Sequence, residues 1–280
     1  MMIGDILKSE NIISDSYVFV LASKIISSQE TLKAGEYQFT PQIKMRDVIL
    51  KIKNGETYKR QFTIPEGLTS YEIMERLKSV PDIQISNIQI PKEGSLLPDT
   101  YQYERNEKLE LIINRMANAQ QKLIEKEWLL REINLPIKTI DEALILASIV
   151  EKETGVPNER KRIAGVFINR LRIGMPLQTD PTVIYALTKG QHKNEGQGPL
   201  GRRLLTKDLQ FDSPYNTYKN IGLPPTPIAN AGRDAILAVF YPETHDYIFF
   251  VADGTGGHAF AKTLSEHNEN VAKWRKIRKN

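Results

Sequence analysis

The stretch from Thr139 to Pro157 most limits how this chain can fold, because it spells one helix with its start, its apolar run and its stop. Thr139-Ile140-Asp141-Glu142 has the form of a capping box, and Gly155 and Pro157 end the run that follows. At ~100° per residue, Leu146, Ile149 and Val150 share one face, and Glu153 falls between their directions one turn further on. Glu151 is expected about 160° away from Glu153, alongside Ala147 and nearer the polar side. A carboxyl group at the end of an apolar stripe loses hydration and lies at the negative end of the helix dipole. Both effects raise its pKa and suit it to donate a proton near neutral pH. Periodicity alone leaves open an ordinary acid at a frayed helix end, paired with an arginine of the next helix.

A chain of 280 residues allows one large domain or about two smaller ones, and 40% hydrophobic with 26% charged residues is a globular composition. The longest apolar candidates, Ala143 to Val150 and Tyr247 to Ala252, fall short of the ~18 to 20 residues that span a bilayer. The 38 basic and 34 acidic residues leave a net charge of +4. That excess fits an anionic polymer or membrane surface only weakly and does not indicate nucleic acid. With no cysteine, disulfide and thiolate chemistry are excluded and the compartment stays open. The sequence runs from Met1-Met2-Ile3-Gly4 straight into an amphipathic pattern, so an export or anchor segment is expected outside it.

Up to about residue 80 the pattern alternates short helical and extended pieces. Gly35 to Phe39 and Arg60 to Ile64 read as strands. Gly4-Asp5-Ile6-Leu7, Arg46-Asp47-Val48-Ile49 and Tyr71-Glu72-Ile73-Met74 repeat an acid followed by two apolar residues, a weak internal repeat. Thr69 with Glu72 forms another capping box, and Gly55 stands where a helix C-cap is expected. A polar helix is expected from about Lys108 to Arg131, and Leu135-Pro136 marks the preferred boundary.

Beyond the central helix, another is expected from about Asn158 to Arg172, with Ile163, Val166, Phe167 and Leu171 on its apolar face and Gly165 permitting close packing. Its charge run Glu159-Arg160-Lys161-Arg162 reads most simply as a solvated face. Thr179 or Asp180 can cap the helix that follows. Asp253 to Gly257 reads as a hairpin turn rather than a phosphate loop. His258 and His267 lack zinc-site spacing, so no metal is expected.

Leu146 to Thr154, Ala164 to Leu171 and Gly174 to Tyr185 closely resemble the endolytic murein transglycosylase family called MltG or YceG. Leu97 to Tyr101, Tyr215 to Tyr218 with Gly222 to Pro225, and Phe250 to Gly254 with Gly257-His258 and His267-Asn268 agree in the same order. The resemblance implies lytic cleavage of the β-1,4 bond between N-acetylmuramic acid and N-acetylglucosamine, leaving a 1,6-anhydro muramic end. One carboxylic acid protonates the leaving oxygen, then takes the proton of the muramic 6-hydroxyl as that oxygen attacks its own anomeric carbon. Lys152-Glu153-Thr154 resembles the Gln-Glu-Ser around the acid of lysozyme-like transglycosylases, which assigns the role to Glu153, with Glu151 as runner-up.

Substrate contacts are expected from Glu151, Gln178, Thr179, Asp180, Tyr215, Asn216 and Tyr218, which combine polar groups with aromatic surface. An ordered turn is the alternative for Tyr215-Asn216, and a helix cap for Thr179-Asp180. The expected fold is α+β: a small LysM-like α/β module over residues 1–85, a connecting helical region over 86–135, and a catalytic domain with a lysozyme-like helical core over 136–280. The resemblance further implies no cofactor, peptidoglycan strands as substrate and peptidoglycan synthases as partners. It also implies a single-pass anchor in the cytoplasmic membrane, through an N-terminal helix outside this sequence, with the catalytic part extracytoplasmic.

Overall fold

The computed structural model describes residues 3–27, 30–192 and 198–278. Ten helices are found there: α1 (Ile3–Ser9), α2 (Ser16–Ile26), α3 (Met45–Asn54), α4 (Ser70–Lys78), α5 (Leu109–Leu130), α6 (Ile140–Glu153), α7 (Arg160–Arg172), α8 (Asp180–Thr188), α9 (Arg233–Phe240) and α10 (Leu264–Ile277). The strands are short: β1 (Arg60–Thr63), β2 (Ile83–Gln84), β3 (Thr100–Tyr103), β4 (Glu107–Lys108), β5 (Phe249–Ala252) and β6 (His258–Ala261). They pair as β1 with β3, β2 with β4, and β5 with β6, which makes the chain α+β with helix predominant.

Two compact units emerge. The first comprises residues 1–62, 81–84 and 101–108, and the second residues 63–80, 85–100 and 109–280. Of the divisions expected at 85 and 135, the first falls beside a crossing between the units at residues 84 and 85 and none of the crossings lies near the second, while residues 63–80 belong to the second unit. In the first unit, Leu7, Ile13, Phe19, Val48, Ile49 and Ile52 form the core. Residues Gly35 to Phe39, expected as a strand, form a bend at Gly35 and join no sheet. Tyr58 N–H donates to Glu36 O at 2.7 Å there. Gly55 ends α3 in the left-handed conformation, at φ 73°, as its position in the sequence suggests.

The second unit is built around α6, which packs against α5, α7, α8 and α9. Thr139 caps its start, accepting from Glu142 N–H at 3.1 Å. Glu142 turns its own carboxylate to Lys138 N–H, one residue before the cap, so the expected box is only half formed. Every residue from Ile145 to Val150 is buried, so α6 is covered all round and not along one stripe. Each large aliphatic side chain buried in this way stabilises the fold by about 1.5 to 3 kcal/mol. Even Ser148 is used internally, donating to Ile145 O at 2.7 Å and accepting from Ile228 N–H at 3.0 Å.

In the second unit, α7 follows a single 3-10 turn, Pro157–Glu159. Its Gly165 allows the chain at Glu243 and His245 to lie directly on the helix. A Cβ at that position would stand 2.5 Å from Glu243 O and 2.7 Å from His245 Nε2. Since the first neighbour is backbone, Gly165→Ala should lower the unfolding free energy by about 1 to 3 kcal/mol, read as a drop in urea midpoint. An unchanged midpoint would mean that this contact is freely adjustable.

Candidate active site

Glu153 is the last residue of α6, and Thr154 follows it in extended conformation as the C-cap. The side chain is densely surrounded by protein yet the residue keeps partial access to solvent. Loss of hydration pushes its carboxyl up to about 6, and the Asp180 carboxylate acts in the same direction. The Thr179 hydroxyl, His258 and Arg170 oppose the rise. These five side chains come from α6, α7, α8 with its cap, and β6, and all belong to the second unit.

The loop before α8 is fixed by Thr217, whose carbonyl accepts from Gln178 N–H and whose hydroxyl accepts from Thr179 N–H, each at 3.1 Å. Gln178 itself is exposed and takes a positive φ of 48°. Thr179 occupies the N-cap position of α8 but its hydroxyl makes no capping bond. That oxygen is buried without a well-formed hydrogen bond and lies close enough to Glu153 to favour its ionised form. Docking of residue 217 against residue 179 brings Tyr218 to Asp180, and the phenol donates to Asp180 Oδ1 at 2.7 Å. Burial first, and then the Asp180 bond, raise the Tyr218 pKa, so the ring remains a neutral phenol.

Arg170 was not marked by the motif reading. It is 6% exposed, donates from Nε to Ile248 O at 2.7 Å and from Nη1 to Leu177 O, and adds a cation beside Glu153. Spacing offered a clue, because Arg170 stands seven residues after Ile163 and three after Phe167, on the buried side of α7.

Glu151 takes a different direction from Glu153, though not toward solvent: its side chain is 6% exposed. It accepts from Gly232 N–H at 3.0 Å and approaches Arg160 Nη2 at 3.6 Å. Arg160 also contacts Glu66 and Asp234. The charge run that reads as a solvated face is therefore largely engaged in packing. Arg160 is buried among carboxylates, Arg162 pairs with Glu243, and Glu159 pairs with His258. Sequence spacing could not reveal this, since apart from Glu151 the partners of Glu159, Arg160 and Arg162 lie 74 to 99 positions away.

Asn216 is fully buried and closes a turn, donating to Leu209 O and Phe211 O and accepting from Tyr218 N–H. Tyr215 packs at 5.1 Å from the Tyr185 ring and shares a 2.8 Å hydrogen bond with Thr226. Of the residues singled out by sequence, Glu153, Thr179, Asp180 and Tyr218 thus converge. Gln178 flanks them, Glu151 joins the Arg160 cluster, and Asn216 with Tyr215 organises the loop carrying Tyr218. The hairpin at Asp253 to Gly257 forms as expected, with β5 and β6 antiparallel and Phe250 facing Phe260 in register.

The profile of the YceG-like family matches residues 1–273. The chain belongs to this family. The endolytic murein transglycosylase of Bacillus subtilis (strain 168) is 35% identical over 304 residues, covering 97% of this chain and 81% of the relative. The protein of the same name from Streptococcus pneumoniae serotype 2 (strain D39) is 30% identical over 320 residues, and the aligned part is 96% of this chain and 55% of that relative. A crystal structure of a YceG-like protein from Listeria monocytogenes superimposes with a TM-score of 0.58 at 33% identity, covering 95% of this chain and 93% of the other.

For this YceG-like chain the raised Glu153 carboxyl carries a stability cost. Its folded pKa lies above the ordinary 4.5, so its contribution is fully present below about pH 4.5 and lost as pH rises through about 6. Glu153→Gln, which does not titrate, should therefore be more stable than wild type at pH 7.5 by up to about 2 kcal/mol. The advantage should shrink toward zero near pH 4. Thermal unfolding across this pH range checks it, and a variant equally stable at both ends would place the carboxyl in an ordinary hydrated setting.

Proposed function

We propose that this protein is an endolytic peptidoglycan lytic transglycosylase in which Glu153 is general acid and then general base. The observation that carries the reading is a carboxyl raised to about 6, enclosed yet reachable from solvent, at the end of the helix around which the second unit packs. Such a group is still partly protonated near neutral pH and can give its proton to a glycosidic oxygen. Family membership and the names of the similar proteins support glycan strands as the substrate.

In this reading Glu153 protonates the oxygen leaving the muramic anomeric carbon. The resulting carboxylate then accepts the proton of the 6-hydroxyl as that oxygen closes on the same carbon, so no water is consumed. Asp180 has a double part: its charge keeps Glu153 protonated, and it faces the positive charge that develops on the sugar. Tyr218 holds Asp180 in place through the 2.7 Å bond and offers ring surface to a pyranose. A hydrolase would need a second carboxylate to activate water, and one oxygen of Asp180 is already engaged by the hydrogen bond that Tyr218 donates. The remaining parts of the reading rest on the family resemblance: a LysM-like N-terminal module, a lysozyme-like helical core, a membrane anchor outside this sequence, extracytoplasmic placement, and peptidoglycan synthases as partners.

Two measurements test this. Mass spectrometry of digested glycan strands should show 1,6-anhydro ends with wild type, and Glu153→Gln should lose at least about 100-fold in rate. Reducing ends, or full activity in the variant, would defeat the assignment. The pH profile of kcat/KM should fall above about pH 6, where free Glu153 ionises. Asp180→Asn, which removes a neighbouring negative charge, should shift that limb to lower pH; an upward shift would contradict the role given to Asp180.

A further inference from the structure

Thr179 and Thr217 are joined by more than the contact that docks their loops, because a third hydroxyl, from Thr182 in the first turn of α8, closes a ring with them. Thr182 Oγ1 donates to Thr179 O at 2.7 Å and stands 2.8 Å from Thr217 Oγ1, which accepts from Thr179 N–H at 3.1 Å. A carbonyl oxygen can only accept, so the single hydroxyl hydrogen of Thr182 is committed to Thr179. The hydrogen between Thr182 and Thr217 must then come from Thr217. The bonds therefore run in one direction: from Thr179 N–H to Thr217, from Thr217 to Thr182, and from Thr182 back to Thr179 C=O. Each hydroxyl donates once and accepts once, an order in which neighbouring bonds strengthen one another. Thr179, Thr182 and Thr217 are 2%, 0% and 1% exposed, so water does not take the place of a missing member.

The start of a helix such as α8 does not require this. An N-cap threonine ordinarily turns its own hydroxyl to a free N–H of the first turn, and Thr179 makes no such bond. Its peptide is held instead by a residue 38 positions away. The residue before it, Gln178, stands in the left-handed region at φ 48° and donates its N–H to Thr217 O at 3.1 Å. A side chain disfavours that conformation, which persists where the surroundings over-determine it. Thr217 does so through its carbonyl and its hydroxyl together. Its own loop is fixed separately, by the bonds from buried Asn216 to Leu209 O and Phe211 O.

What the ring adds is register. With residue 179 fixed against residue 217, the next residues of the two segments meet, and the Tyr218 phenol donates to Asp180 Oδ1 at 2.7 Å. Asp180 is exposed and Tyr218 only half-buried, so packing alone does not confine the carboxylate to one rotamer. Its direction depends on the phenol, and the phenol is aimed by the residues bonded beneath it.

We propose that Thr182 and Thr217 are positioning residues for the Asp180 and Tyr218 pair: their hydroxyl ring holds the two segments in the one register that sets the phenol on the carboxylate. Both hydroxyls keep their hydrogens throughout. The consequence for turnover rests on the lytic reading, in which Asp180 faces the charge that develops on the sugar. The effect on the pair itself does not, and can be read without activity.

The experiment follows the carbon-13 signal of Tyr218 Cζ in the full chain, identified as the one missing from Tyr218→Phe. Asp180→Ala, which removes the acceptor, supplies the position of a released phenol. Thr182→Val and Thr217→Val keep the shape of the side chain and remove the hydroxyl, and each should move the signal toward the Asp180→Ala position. Thr182→Ser, which keeps the hydroxyl, should leave it at the wild-type position. An unmoved signal in either folded Val variant overturns the proposal, and if one of them does not fold the other decides. In glycan cleavage, Thr182→Val should lower kcat about tenfold and leave KM within about twofold, with Thr182→Ser within about twofold of wild type in both. A hydroxyl that serves stability alone would lower the unfolding midpoint of the Val variants but leave kcat and the Tyr218 signal unchanged, which would also overturn it. Wild type unable to cleave glycan at all would refute the lytic reading and leave the Tyr218 signal to decide the proposal by itself.

Discussion

The enclosure of α6 is the constraint on which the rest of the second unit depends. A helix whose residues Ile145 to Val150 are all buried must be covered on every side, and α5, α7, α8 and α9 do this. Its C-terminus then cannot lie in bulk water. The last residue, Glu153, is left with a carboxyl among protein atoms and at the negative end of the helix, where its ionised form is disfavoured. The packing that stabilises the unit thus also creates a proton donor suited to near-neutral pH. At this residue the packing that stabilises the unit disfavours the ionised carboxyl.

The surroundings of Glu153 are arranged through backbone bonds rather than through contacts among the reactive groups themselves. Thr217 docks the chain before α8, and that docking places Tyr218 on Asp180. Arg170 spans from Leu177 to Ile248, joining that same segment to the edge of the hairpin. Glu159 holds the other strand of the hairpin at His258. Arg170 and His258 are thus anchored by partners outside the pocket and Asp180 by Tyr218 within it, which keeps the site organised without a bound substrate.

Local signals in the sequence were read correctly where they act over a few residues. The Thr139 cap, the Thr69 and Glu72 box, the left-handed Gly55 and the hairpin at Asp253 to Gly257 all depend on neighbours in the chain. Periodicity puts Glu153 in line with the buried residues of α6, and only the resemblance to the MltG or YceG family marks it as the candidate acid. The misreadings share another cause. Glu151 was expected nearer the polar side because one stripe was assumed where the helix is covered all round. The charge run from Glu159 to Arg162 was expected in solvent because its partners, His258, Glu66, Asp234 and Glu243, are remote in sequence. The chain passes between the units several times, mostly within or beside short strands, which offer little compositional break to read. Pairings over such distances leave no periodic trace, and only the fold brings them together.

The central claim is that one enclosed carboxyl cleaves the glycan without water, and the fate of solvent oxygen tests it most directly. Purified glycan strands would be digested by the wild-type protein in oxygen-18-labelled water, and the new chain ends analysed by mass spectrometry. The account predicts ends lighter by one water than reducing ends and free of the label. Oxygen-18 incorporated at newly formed reducing ends would contradict it, and would make the enzyme a hydrolase with a second carboxylate in the role of base.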